Sequence, residues 1–81
     1  MDITIHFYSY FKDLTGCART TVTVLPGGTI GDLWKQLITR FPKLGPIQNS
    51  TLAAVGVEYQ GRGYVLKDGD EVSLFPQVQG G

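Results

Sequence analysis

The sequence predicts an α+β roll, with one main helix packed on a mixed sheet of four or five strands. Three observations predict it. One stretch, Thr29–Phe41, carries apolar residues at spacings of three and four over about three turns. Other stretches, at 2–8, 20–25 and 71–75, alternate with period two and use β-branched and aromatic residues. The chain has 81 residues, which is one domain's worth at this size. The helix stripe and the strand faces therefore have only each other to pack against.

The elements follow in order. In Asp2–Tyr8, Ile3, Ile5 and Phe7 fall on one face, and Thr4, His6 and Tyr8 on the other. Residues 9–16 lose the alternation; Phe11 and Leu14 lie three apart and Gly16 follows, so a short helical turn ending at Gly16 is expected. Thr20–Leu25 alternates again, with Val22 and Val24 as the inward pair, and Pro26-Gly27-Gly28 stops it. Thr29 is placed to cap the main helix, with Asp32 three residues on as a variant of the capping box. Ile30, Leu33, Trp34, Leu37, Ile38 and Phe41 form the stripe, and Pro42 closes the helix because it lacks a backbone donor.

Residues 43–51, with Gly45, Pro46, Asn49 and Ser50, read as loop. Leu52–Val55 is a short apolar run, and Val57–Gln60 either continues it or forms a separate short strand. Tyr64-Val65-Leu66 is ambiguous. Lys67-Asp68-Gly69-Asp70 is a firm turn signal. Glu71–Phe75 then alternates, with Val72 and Leu74 inward and Ser73 and Phe75 outward, before Pro76. This order is that of the β-grasp fold, in which the first and last strands are central neighbours. One domain over 1–81 is expected, with a flexible tail at 76–81.

Composition narrows the function. Seven basic residues balance seven acidic ones, without the basic stripe of a protein that holds nucleic-acid phosphates. Charged residues make up 17%, below the usual ~25%. A single cysteine, Cys17, leaves no internal disulfide. No apolar run approaches the ~20 residues of a membrane helix. Met1 leads directly into a strand, so no secretory signal and native ends are expected, and the expected placement is a reducing cytoplasm.

The sequence ends on Pro76-Gln77-Val78-Gln79-Gly80-Gly81. Without a Cβ, two glycines can pass through a slot too narrow for side chains, which suggests that the carboxylate of Gly81 is delivered into another protein's active site. Taken alone, the dipeptide reads better as a frayed end.

Four segments carry a resemblance. Phe7–Gly16 is similar to a strand-end and short-helix segment of the form F-A-x-L-R-E-x-x-G. The helix Thr29–Phe41 and the run Leu52-Ala53-Ala54-Val55 match in place. Most specifically, Leu66–Gly81 is similar to L-x-D-G-D-E-V-x-x-x-P-P-V-x-G-G. The chain resembles, over essentially its whole length, the small, sulfur-carrying subunit of molybdopterin synthase, a ubiquitin-like family. It departs from that pattern at Lys12 (usually arginine), Gly56 (often asparagine) and Gln77 (usually a second proline). Lys12 keeps the charge but lacks the planar fork of arginine.

The resemblance implies a carrier rather than an enzyme. Gly81 would be adenylated by a ubiquitin-activator-like adenylyltransferase that uses ATP, and a sulfur donor protein would convert it to a thiocarboxylate. The loaded tail would enter the large synthase subunit, Gly80 permitting insertion, and donate sulfur for the dithiolene of molybdopterin. Such subunits assemble as a heterotetramer, and the carrier itself binds no cofactor or metal. The expected partner interface is Tyr8, Tyr59, Phe75, Pro76, Val78 and Lys12. Outward Tyr8 and Phe75 would form one aromatic patch beside the tail, and such patches usually mark partner surfaces; scattered surface aromatics are the plainer reading, but the position beside the tail puts the interface reading ahead.

The other chemistry-bearing residues read more blandly. His6 is outward on its strand and better taken as a satisfied surface or interface residue than a catalytic one. For Cys17 a plain free thiol is favoured over a persulfide relay. Asp68, Asp70 and Glu71 are explained by turn chemistry before metal binding. Gly27-Gly28 lacks the lysine and spacing of a phosphate loop. Two other functions remain open: a sulfur carrier of thiazole or cysteine synthesis or a ubiquitin-like protein tag, and an interaction module whose tail has no chemistry.

Overall fold

A computed structural model describes residues 1–77. The elements are β1 (Asp2–Phe7), α1 (Phe11–Thr15), β2 (Arg19–Thr23), α2 (Ile30–Arg40), a 3₁₀ helix (Pro42–Ser50), β3 (Thr51–Val55), β4 (Glu58–Tyr59) and β5 (Glu71–Pro76). The sheet order is β2-β1-β5-β3-β4. β1 and β5 are parallel, with Ile5 opposite Val72 and Phe7 opposite Leu74. β2 runs antiparallel to β1, and β3 antiparallel to β5 and β4. The first and last strands are therefore the central neighbours that a β-grasp roll requires.

The inward residues of the strands are those the alternation names. Ile3, Ile5, Phe7, Val22, Val24, Val72 and Leu74 are buried, and they meet Ile30, Leu33, Trp34 and Leu37 of α2. Each such side chain contributes roughly 1.5–3 kcal/mol by leaving water. Ile38 and Phe41 complete the stripe at the edge of this core, where Phe41 meets Phe7 edge-on at 5.8 Å. Both halves of the capping box are present: Thr29 Oγ1 accepts from the Asp32 amide at 3.2 Å, and Asp32 Oδ2 accepts from the Thr29 amide at 3.0 Å.

The ambiguous segment at 64–66 closes the helix end of the core. The Ile30 amide donates to Tyr64 O and the Leu66 amide to Gly28 O, and Leu66 is buried. In the turn before β5, Gly69 has φ of 86°, which glycine tolerates at no steric cost. Asp70 Oδ2 accepts from the Lys67 amide at 2.9 Å and from the Tyr64 hydroxyl at 3.4 Å. Asp68 Oδ1 accepts from the Asp2 amide. The two turn carboxylates thus tie down backbone and a phenol.

Two expectations are corrected. Residues 43–51 are not loop through most of their length, because Pro42–Ser50 is a 3₁₀ helix. Leu44 is fully buried and Ile47 packs on the core. Their spacing of three is the period of that helix, and Pro42 stands at its start, where a missing N–H is harmless. The second correction concerns Pro76, which was expected to open the tail but belongs to β5, opposite Thr51. The Gly56 amide donates to Glu71 O and the Gln77 amide to Ser50 O. The bonded pairs toward β3 thus fall at 71, 73, 75 and 77, and Pro76 occupies a position between them that needs no donor.

Candidate functional site

The strand alternation that buries one face of the sheet presents the other to solvent. Tyr8, one residue past β1, still donates its amide to Leu74 O. Its ring therefore lies beside the outward ring of Phe75 on β5. The two are stacked, with centroids 5.0 Å apart and planes 19° from parallel. Tyr59 on β4 meets the same Phe75 ring edge-on at 6.2 Å. Tyr8 is 45% exposed and Tyr59 69%, so the cluster is a partly open aromatic face.

Leu52 joins this face, because β3 sets it directly opposite Phe75. Sequence reasoning missed it. In the run Leu52-Ala53-Ala54-Val55 every residue is apolar, so no alternation says which way each one points. The register alone assigns Leu52 and Ala54 to the outer face and Ala53 and Val55 to the inner one.

The chain reverses sharply after Tyr8. Ser9 holds a left-handed φ of 57°, uncommon outside glycine, asparagine and aspartate. This turn buries Phe11 of α1 and leaves Lys12 exposed. Lys12 makes no side-chain hydrogen bond or ion pair among the described residues, and the structure does not bring it onto the three rings. Pro76 follows Phe75 at the end of β5. Val78, Gly80 and Gly81 lie outside the described residues.

His6, two residues before Tyr8 on the same face, is held by Glu71: Nε2 and Oε1 are 2.7 Å apart. Cys17 is half-buried, with Sγ 3.7 Å from Thr15 Oγ1. Among the described residues, no three His, Cys, Asp or Glu side chains come together as metal ligands. A cleft of about 320 Å³ opens between α2 and the β3–β4 edge, bordered by Trp34, Leu52, Tyr59 and Arg62. Arg62 lies over the Trp34 ring at 5.6 Å. The lining has no carboxylate, imidazole or thiol, so the cleft offers shape and apolar surface rather than acid–base groups. No described helix is long and apolar enough to cross a membrane.

What the described residues present is an apolar contact face, with β5 running across it toward the C-terminal residues. The family described as the ThiS family matches residues 5–81, which takes in the whole of that face and the residues beyond it. The chain belongs to the ThiS family. The likeness to sulfur carriers read from the Leu66–Gly81 segment therefore holds at the level of the family.

A relative of this ThiS-family chain is the human molybdopterin synthase sulfur carrier subunit, 30% identical over 82 residues, spanning 98% of this chain and 93% of the relative. Among solved structures, SAMP1 from Haloferax volcanii superposes with a TM-score of 0.89 at 22% identity, over the full length of both chains. A chain in the complex of subunits 1 and 2 of molybdopterin-converting factor from Helicobacter pylori 26695 superposes with a TM-score of 0.70 at 20% identity, again over both full lengths. At these identities the two structures establish the ubiquitin-like β-grasp fold of this ThiS-family chain.

Proposed function

We propose that this protein is a sulfur carrier for molybdopterin synthesis, working from the cytoplasm as the small subunit of a molybdopterin synthase. The observation that carries the reading is the course of β5, which takes the chain from the stacked Tyr8–Phe75 pair to Gln77, the last described residue. A partner that grips the aromatic face holds β5 immediately before the C-terminal residues. The family match through residue 81 supports the use of that end, and the human relative supports the pathway.

In this reading the Gly81 carboxylate attacks the α-phosphorus of ATP on an adenylyltransferase, giving the acyl-adenylate and releasing pyrophosphate. Sulfur from a donor protein, delivered as hydrosulfide or as a persulfide whose S–S bond a second thiol then reduces, displaces AMP and leaves a thiocarboxylate. The loaded end enters the large subunit, its sulfur bonds to a carbon of the pterin precursor as an oxygen leaving group departs, and water then cleaves the acyl–sulfur bond to return the carboxylate. Two sulfurs make a dithiolene, so spent and loaded carriers exchange. The carrier contributes a reacting group and an address; acid–base and electrostatic catalysis belong to the large subunit. Tyr8, Tyr59, Phe75, Pro76 and Val78 form the docking contact, with Lys12 at its margin as a point charge.

The test is reconstitution. The protein is incubated with the activating enzyme, ATP and a sulfur donor, and its intact mass is measured. A gain equal to oxygen replaced by sulfur is expected, and it should vanish when Gly80 and Gly81 are removed. The loaded protein plus a molybdopterin synthase large subunit should then convert the pterin precursor. Loading without conversion assigns the carrier to another sulfur pathway, and absence of both adenylate and thiocarboxylate defeats the carrier reading.

A second reading is favoured by the closeness of the superposition on SAMP1, a protein named small archaeal modifier protein 1. It is use of Gly81 as a protein tag. Joining to a lysine of another protein with loss of water would distinguish it.

A further inference from the structure

The cleft between α2 and the β3–β4 edge shares two residues with the aromatic face. Leu52 stands opposite Phe75, Tyr59 meets the Phe75 ring edge-on, and both also line the cleft. β4 pairs only with Ala54 and Val55 of β3. Thr51, Leu52 and Ala53 therefore border the cleft where a longer β4 would have covered them, and Trp34 and Ile30 of α2 line it from the helix. A volume of about 320 Å³ is at the small end for a ligand pocket, and suits one large side chain better than a cofactor.

Arg62 gives the cleft its charge, and its position is fixed. The Gly31 amide donates to Arg62 O at 2.9 Å, and the Tyr64 amide to Gly61 O at 3.1 Å. The side chain is held as well. NH1 donates to Gln48 Oε1 at 3.3 Å and NH2 to Gln48 O at 3.0 Å, and the guanidinium lies over the Trp34 ring at 5.6 Å. Neither contact neutralises it, because Gln48 is uncharged and Trp34 offers only a π face. Arg62 is exposed, and no carboxylate among the described residues pairs with it. The N–H groups that Gln48 leaves are set for a carboxylate, which the planar fork matches. A phosphate is less suited. Arg62 is the single charged residue of the lining, and the first amides of α2, the usual seat of a phosphate, already donate to Tyr64 O, Arg62 O and Thr29 Oγ1.

We propose that the cleft is a second point of attachment for the large synthase subunit, which places there an apolar side chain with a carboxylate beside it. The apolar group packs against Trp34 and Leu52, and the carboxylate pairs with Arg62. The inference rests on the aromatic face being the large-subunit contact, since a partner covering Leu52 and Tyr59 already stands at the rim of the cleft. Stacked rings alone resist rotation poorly. A side chain wedged beyond the β3–β4 edge and a directional charge pair fix the angle at which the carrier sits.

Trp34 is the chain's single tryptophan, so fluorotryptophan incorporated into this chain gives one fluorine resonance, in the wall of the cleft. Adding unlabelled large subunit to the wild type should move that resonance. Calorimetric titration then compares variants whose folding is checked by urea midpoints. Arg62→Gln removes the charge and should weaken binding tenfold or more. Arg62→Lys keeps the charge without the fork and should recover part of the loss. Lys35→Ala, exposed and outside the cleft, should bind as the wild type does. A resonance that stays in place when the complex forms overturns the proposal. So does an Arg62→Gln chain that binds as tightly as wild type; if Phe75→Asp binds weakly in the same series, the aromatic face stands and the cleft alone falls. A wild type that does not bind the large subunit overturns the synthase reading and this inference with it.

Discussion

Phe75 lies flat against Tyr8, with ring centroids 5.0 Å apart, although the two residues come from opposite ends of the sequence. The parallel pairing of β1 with β5 makes them neighbours. Phe75→Asp puts a charge at the centre of the aromatic face while sparing the core, which lies on the other side of the sheet. The monomer should lose about 1 kcal/mol with the stacking contact and remain folded by circular dichroism. Affinity for a molybdopterin synthase large subunit should fall roughly 30-fold or more, the ~2 kcal/mol of a central anchor. Calorimetric titration checks it, and unchanged affinity would remove this face from the interface.

The helix cap makes a prediction with a pH signature. Thr29→Ala should cost about 1 kcal/mol in urea unfolding. Hydrogen bonds from the Thr29 amide and hydroxyl, with a smaller contribution from Lys35, hold the Asp32 carboxyl below the usual aspartate value. A carboxyl depressed in the folded state stabilises fully above its unfolded pKa, about 3.9. That contribution is lost as pH falls below that value through the lower folded one. Asp32→Asn should therefore lower stability at neutral pH and flatten the acid limb, read from urea midpoints between about pH 6 and pH 2.

Leu44 tests the 3₁₀ helix as part of the core. Its side chain is fully buried, so Leu44→Ala should cost about 2–5 kcal/mol. A domain of this length has only about 4–12 kcal/mol in total, and the variant should sit near its unfolding midpoint at modest temperature. Lys43→Ala, next door and exposed, should stay within about 0.5 kcal/mol of wild type. Equal effects in thermal melts would contradict the packing.

The His6–Glu71 pair should matter little to stability. The contact is short, 2.7 Å, but the Glu71 side chain is 63% exposed, and exposed pairs contribute about 0–1 kcal/mol. Glu71→Gln should change the urea midpoint only slightly, and the difference should disappear at about 1 M salt, where charges are screened within ~3 Å.

Period and punctuation carried most of the fold. Ile3, Ile5 and Phe7 could be assigned to the core because polar residues separate them, and Thr29 and Asp32 announced the cap. The same signals failed where composition was uniform or breakers were common. Leu52 went unassigned because its neighbours are all apolar. Leu44 and Ile47 went unassigned because Gly45 and Pro46 between them read as loop. Pro76 looked like a stop because a missing N–H usually is one, yet its place in the register needs no donor. On the outer face, Tyr8 and Phe75 were legible from alternation, while their stacking depends on which strands are neighbours, a property of topology that neither segment encodes by itself.

The placement of β5 has a further consequence for how the protein is made. The central strand follows every other described element in the sequence, so the core cannot close until translation has passed Leu74. Long-range pairing of this kind folds slowly compared with local contacts. A chain interrupted before Glu71 lacks both the strand that joins β1 to β3 and the Phe75 ring at the middle of the aromatic face. Closure of the core and assembly of the aromatic contact face thus arrive together.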